Sequence, residues 1–271
     1  MERLKRTIVV TSGKGGVCKT TITANIGGAL ALLGMNVLLV DADVGLRNLD
    51  LVLGLENRIV FDLLDVIEKR CRSYKQAIIK DKRINNLFLL PSPQTKQKED
   101  VPLEKFKELI NEIREDFDFV IIDCPAGIEH GFKMSAISAE EAIVVTTPDM
   151  SSIRDADRVI ANLESMEKKS TKLIINRFKK HMVKKSQMLS VEDIIETLNI
   201  EILGIIPDDE YITISTNNGE PVVLNKTKPL FKYFNNIAQR IIDPNIPTGN
   251  PLEEGNILLK FANLVGIRKS K

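Results

Sequence analysis

The sequence predicts an α/β fold: a doubly wound, mostly parallel sheet with helices on both faces, followed by a C-terminal amphipathic helix. Three observations carry that expectation. Short Val- and Ile-rich runs recur along the chain with helical patterns between them, as in buried parallel strands joined by crossover helices. The first run passes through a glycine-rich turn into a helical segment. With 271 residues and 43% apolar content, the chain can bury one large core.

The strand runs, in order, are TIVVT from Thr7, NVLLVD from Asn36, NLFLLP from Asn86, DFVIID from Asp118, EAIVVTT from Glu141, TKLIIN from Thr171 and IEILGIIP from Ile200. Their spacing favours a single doubly wound domain. Between the first two, Ile22, Ile26, Leu30 and Leu33 recur at helical spacing, so a helix is predicted from Lys19 to Leu33 with Gly34 as its stop. Further helices are predicted over 102–115, 151–166, 191–198 and 228–242. Residues 1–242 therefore read as one domain. The run DPNIPTGNPLEEG, residues 243–255, is dense in Pro, Gly and Asn and reads as a linker. In the final segment, residues 256–271, Ile257, Leu258, Phe261, Leu264 and Val265 share one helical face, with Arg268, Lys269 and Lys271 at the end. Such a helix suits an anionic lipid surface. A terminal helix docked on the core would use the same stripe.

Charge and cysteine usage narrow the classes. Against 38 basic residues stand 37 acidic ones, a net charge of +1, so no global field draws the protein to nucleic acid or membrane. Any such attraction has to be local. Three scattered cysteines, Cys18, Cys71 and Cys124, form neither a disulfide framework nor a paired metal motif. A reducing compartment is expected. MERLKRTIVV runs straight into a short strand and lacks the long apolar region of a secretory signal. Abundant Ile, Lys and Asn suggest an AT-rich genome, as in plastids and some bacteria.

The chemistry concentrates in SGKGGVCKTT, residues 12–21. A strand, a glycine-rich turn and a helix make the context of a phosphate-binding loop. The N–H groups of Gly15, Gly16, Val17, Cys18, Lys19 and Thr20 can face phosphates, with Thr21 next in the helix and the helix dipole behind them. Lys19 would reach the β and γ phosphates and the Thr20 hydroxyl would bind Mg²⁺. Cys18 stands where the pattern G-x-x-x-x-G-K-[ST] has its second glycine, and its Cβ crowds the approach to the β phosphate. A tolerated substitution with weakened affinity, a lost site and an altered codon are the open readings; the intact remainder of the motif favours the first. Asp41 and Asp43 end the second strand at the edge where such sheets bind ligands. Asp123 ends FVIID, the position of a carboxylate that holds Mg²⁺ through water. Cys124 reads as a small packed residue. His130 and His181 lack metal-ligand spacing and read as surface residues.

KGGVCKT from Lys14 resembles the deviant Walker A motif KGGxGKT of the ParA/MinD ATPases, a P-loop NTPase family. The resemblance continues in DADVGLRNLDLVLGL, DCPAGIE, TTPDMSSIRDADRV, INR and IIPDD. It implies an ATPase that cycles between an ATP-bound homodimer and an ADP-bound monomer. In that cycle Lys14 reaches the partner's ATP, Asp43 polarises the attacking water and Asp41 assists near Mg²⁺. It further implies that the Gly127 amide approaches the γ phosphate and that Asn176, Arg177, Pro207, Asp208 and Asp209 hold adenine and ribose. Asn48, Leu49 and Asp50 become candidates for a dimer or partner surface. Function by resemblance is division-site placement at an anionic membrane, with a MinC-like inhibitor and a MinE-like activator where present. The place is the inner face of a bacterial or plastid membrane, in exchange with the soluble phase. Two alternatives stay beside it: a non-hydrolysing membrane scaffold in which Cys18 blocks ATP, and a ParA-type DNA-partitioning ATPase, against which the near-zero net charge and the tail both speak.

Overall fold

The computed structural model describes residues 4–94 and 101–248. Its elements run β1 (Arg6–Thr11), α1 (Lys19–Leu32), β2 (Val37–Asp41), α2 (Leu49–Val52), α3 (Leu63–Ile67), β3 (Ile79–Lys80), β4 (Leu87–Leu90), α4 (Leu103–Ile113) and β5 (Phe119–Asp123). They continue with α5 (His130–Ile137), β6 (Glu141–Thr146), α6 (Met150–Ser165), β7 (Ser170–Phe178), α7 (Lys180–Val183), α8 (Val191–Leu198), β8 (Glu201–Pro207), α9 (Glu210–Asn217) and α10 (Leu230–Ile242). The strands form one eight-stranded sheet in the order β3-β4-β2-β5-β1-β6-β7-β8. Every pairing is parallel except that of β3, a two-residue edge strand antiparallel to β4. All seven predicted strands are present. β3 was not expected, because two residues carry no periodicity to read.

Alternation along the strands divides the core between the two faces of the sheet. Val9, Leu38, Val40, Val120 and Ile122 pack on one face with α4, α6 and α8. Ile8, Val10, Val37, Leu39, Phe119 and Ile121 pack on the other with α1 and α10. Both faces are covered, which is why these strands read as continuous apolar runs. α1 is buried almost all round, from Thr21 to Ala31, because it lies between the sheet, α2 and α10.

The five predicted helices are present within two residues at each end, and 191–198 agrees at both ends because Ser190 and Asp193 form a reciprocal capping box. α2, α3, α5, α7 and α9 were missed. The segment EYITISTN of α9 is rich in β-branched residues, yet Asp209 accepts the Tyr211 N–H and caps it as a helix. Two surface expectations are corrected. Leu49 and Asp50 are buried and only Asn48 of that trio is exposed, because Leu49 turns into the core beneath α2 while Arg47 covers Asp50 at 2.8 Å. His130 is half-buried, with Nε2 3.3 Å from the Val101 carbonyl, whereas His181 is exposed.

Residues 243–248, the start of the predicted linker, lie along β8: Arg240 donates to the Pro247 carbonyl and Thr248 to that of Ile202. The rest of that linker and the amphipathic segment 256–271 lie outside the described residues. Among the described residues no helix is long and apolar enough to cross a membrane.

Candidate functional site

Three strands deliver the polar groups to one edge. In the sheet register Val10 lies opposite Asp123, and Asp123 opposite Asp41. The C-terminal ends of β1, β2 and β5 therefore meet side by side, at the reversal of strand order where open α/β sheets bind ligands. The loop from Ser12 to Cys18 leaves β1 there and turns into α1.

Gly13 makes that turn possible. A Cβ on it would lie 2.2 Å from the Asp155 carbonyl oxygen in α6, so only glycine lets the loop pass against that helix. The sequence reading did not single it out. Beyond Gly13, the backbone N–H groups of Gly15 to Thr20 donate to no protein acceptor among the described residues. Six donors converging at the start of a 14-residue helix form an anion cradle of the kind that receives phosphates. The donor set thus fits a nucleotide polyphosphate.

Lys19 is the first residue of α1, and its ammonium lies 2.9 Å from Asp123 Oδ1, with both side chains buried. Burial works against the charge on Lys19, but the Asp123 carboxylate beside it prevails and holds its pKa above the ordinary lysine value. The Thr23 hydroxyl, one turn along, lies 3.0 Å from the Lys19 carbonyl and 3.1 Å from Asp123 Oδ1. Thr23 was not anticipated; its signal is a threonine one helical turn after the loop lysine. Thr20 is half-buried at the mouth of a groove shared with Asn48, Leu51 and Gly219. Cys124 is fully buried and its thiol is pushed up to about 11 by burial, as expected of a packed residue.

Asp41 holds the loop that follows β2. One carboxylate oxygen accepts from the Asp43 N–H at 2.9 Å, and the other from the N–H groups of Asn48 and Leu49 at 3.2 and 3.1 Å. Burial, then the neighbouring Asp123 carboxylate, push its pKa up to about 7, against the pull of those three donors. Asp43 stands half-buried beside it. The Gly127 N–H, expected toward the γ phosphate, donates instead to the Ser12 carbonyl at 3.0 Å. In this conformation the segment after β5 is tied to the phosphate loop through that bond.

Lys14 is exposed and folds back within its own chain. Its ammonium donates to Ser151 Oγ at 2.8 Å, and that hydroxyl donates to Asp149 Oδ1 at 2.8 Å. Asp149 caps α6 through the Ser152 N–H. Partial burial opposes its charge, but donation from Thr147, Ser152 and Ser151 holds the carboxyl well below the usual range.

The opposite flank carries the residues expected at adenine and ribose. Asn176 is buried; its amide donates to the Val17 carbonyl at 2.9 Å, bracing the phosphate loop, while its Oδ1 has no partner. An orphaned acceptor at that depth fits the exocyclic amino group of a purine. Arg177 is exposed, Asp208 pairs with Lys179 at 3.1 Å, and Pro207 ends β8. Asp209 is spent on the cap of α9.

Cys18 takes φ 66° and ψ 33°, the left-handed conformation that a glycine would supply. The loop keeps its path, α1 starts on Lys19, and the Lys19–Asp123 pair is in place. The substitution strains the loop without dismantling it.

Fold and site together define a phosphate-loop nucleotide-binding protein on a doubly wound sheet. The chain belongs to the family described as the CobQ/CobB/MinD/ParA nucleotide binding domain, whose model matches residues 8–222. The septum site-determining protein MinD of Synechocystis is 51% identical over 257 residues, covering 94% of this chain and 96% of that protein. A chain of the MinC:MinD cell division protein complex of Aquifex aeolicus is 49% identical with a TM-score of 0.84, covering 90% of this chain and 98% of that one. The septum site-determining protein MinD of Pyrococcus horikoshii, complexed with Mg-ADP, is 30% identical with a TM-score of 0.79, covering 88% and 96%.

Proposed function

We propose that this protein is a MinD-like ATPase that takes part in placing the division site, and that ATP drives its dimerisation and its attachment to an anionic membrane. The observation that carries the reading is the arc of unpartnered N–H groups from Gly15 to Thr20, set over the buried Lys19–Asp123 pair. Such an arc binds phosphate oxygens without reorganising, as phosphoryl transfer requires.

In this reading Lys19 turns from Asp123 toward the β and γ phosphates. Thr20 and Asp123 would hold Mg²⁺, partly through water, with Asp41 alongside, and the ion would supply charge neutralisation for the phosphoryl group. Asp41 keeps Asp43 in place, and Asp43 orients the attacking water. The Gly127 N–H exchanges the Ser12 carbonyl for a γ-phosphate oxygen. Lys14 leaves Ser151 and reaches the partner subunit's nucleotide, so hydrolysis depends on dimerisation. Asn176 reads the base. Residues 256–271 supply a lipid-binding helix too small to hold the membrane singly; two on one dimer hold it through effective concentration. A MinC-like inhibitor and a MinE-like activator are the partners that fit this reading. The place of action is the inner face of a bacterial or plastid membrane.

Co-sedimentation with anionic vesicles under ATP, ADP and no nucleotide tests this reading, run beside phosphate release. ATP-enhanced sedimentation with phosphate release is the expected result. Vesicle binding indifferent to nucleotide, with no phosphate released, would establish the non-hydrolysing scaffold instead. Retention on DNA rather than vesicles would establish the partitioning alternative.

A further inference from the structure

The β7–β8 pairing shifts register between Ile175 and Phe178, so Asn176 and Arg177 lie in an irregularity of the ladder. Bulges of this kind re-aim side chains beside functional sites. Arg177 takes φ 55°, a left-handed conformation rare for a long side chain. From there its guanidinium crosses to the phosphate loop, where Nη2 lies 3.2 Å from Cys18 Sγ. Cys18 is itself left-handed, at φ 66°. Two strained residues thus face each other across the loop, and strain of this kind concentrates at ligand clamps.

Arg177 pairs with no carboxylate among the described residues, and the thiol engages one of its five N–H donors. It also lines a depression of about 280 Å³ with Thr147, Asp149, Lys179 and Asp208. A planar, permanently charged fork in that position suits a phosphate better than a neutral base edge.

We propose that Arg177 binds the nucleotide's diphosphate, and that Cys18 is the positioning residue that holds it there. The thiol places a second cation over the loop where the family pattern has a bare glycine. The inference rests on the nucleotide-binding reading above and goes beyond it, since the family resemblance puts Arg177 at the base and ribose.

Displacement of a fluorescent ADP analogue by ADP, AMP and adenosine tests it, on the native full chain and on Arg177→Asn, Arg177→Lys, Cys18→Gly and the double variant Cys18→Gly/Arg177→Asn. Asparagine tolerates left-handed backbone, and circular dichroism checks that each variant is folded. Arg177→Asn is expected to weaken ADP about tenfold, the scale of one charge-assisted hydrogen bond, and to leave adenosine unchanged. Arg177→Lys should recover most of the loss. In the Cys18→Gly background the same substitution should cost about threefold or less, showing that the thiol positions the guanidinium. Equal weakening of ADP and adenosine would overturn the proposal and leave the nucleotide-binding reading standing. An undiminished effect without the thiol would remove Cys18 from it. Failure of the native chain to bind the analogue would sink both.

Discussion

Cys18 sits at the N-cap of α1, where the phosphate loop turns into the helix. The motif requires glycine there for close backbone approach, and the structure adds a second reason, because the position is left-handed at φ 66°. Relief of that strain is measurable. Cys18→Gly should stabilise the folded chain by about 1 kcal/mol, seen as a higher melting temperature, whereas Cys18→Ala, which keeps a Cβ, should not. Lys19 and Asp123 behave differently, being a buried pair 2.9 Å apart. Lys19→Ala strands a buried carboxylate and should cost about 3–5 kcal/mol in urea unfolding. Lys19→Met/Asp123→Asn should recover most of that loss. If the double variant is as unstable as Lys19→Ala, the pair is not what stabilises this site. The place of Asp123 at the tip of β5 was legible from one strand ending in a carboxylate. The part played by Thr23 was not, because a threonine inside a helix has many possible partners.

Among elements, the meeting of β1, α1 and α6 decides the shape of the site. Gly13 lets the loop touch α6, and a Cβ would meet the Asp155 carbonyl at 2.2 Å. Gly13→Ala should therefore destabilise the fold by about 1–3 kcal/mol and displace the loop. Thermal unfolding together with analogue binding reads both effects, and an unchanged melting point would show that α6 can move aside. Helices with one apolar stripe, α4, α8 and α10, were readable from spacing alone. α9 was not, because its β-branched sequence favours a strand and one cap from Asp209 reverses the outcome. α2 was missed for a related reason: four residues are too few for a period, and its start is held by Asp41 from another element.

For the whole molecule, the near balance of 38 basic and 37 acidic residues puts any membrane attraction into a local segment. Deleting residues 256–271 should leave nucleotide binding within about twofold of the full chain and abolish ATP-dependent sedimentation with anionic vesicles. Retained sedimentation would place the lipid contact on the ATPase domain. Among the described residues, the one segment beyond α10 follows β8 at the edge of the sheet remote from the phosphate loop, near Arg6 and Ile241.

The sequence alone determined the class of fold, the seven main strands and the phosphate loop, because each is written in a local pattern: apolar runs, helical spacing, and glycines beside Lys-Thr. It also marked Cys18 as the departure. Only the tertiary structure decided what long-range packing controls: that Leu49 and Asp50 are buried, that Asp41 braces the loop after β2, that Lys14 rests on Ser151. It also decided that Arg177 reaches Cys18, 159 positions away. A pattern records which way a residue faces within its own element; the identity of what it meets depends on how β1, β2, β5 and β7 are ordered in the sheet.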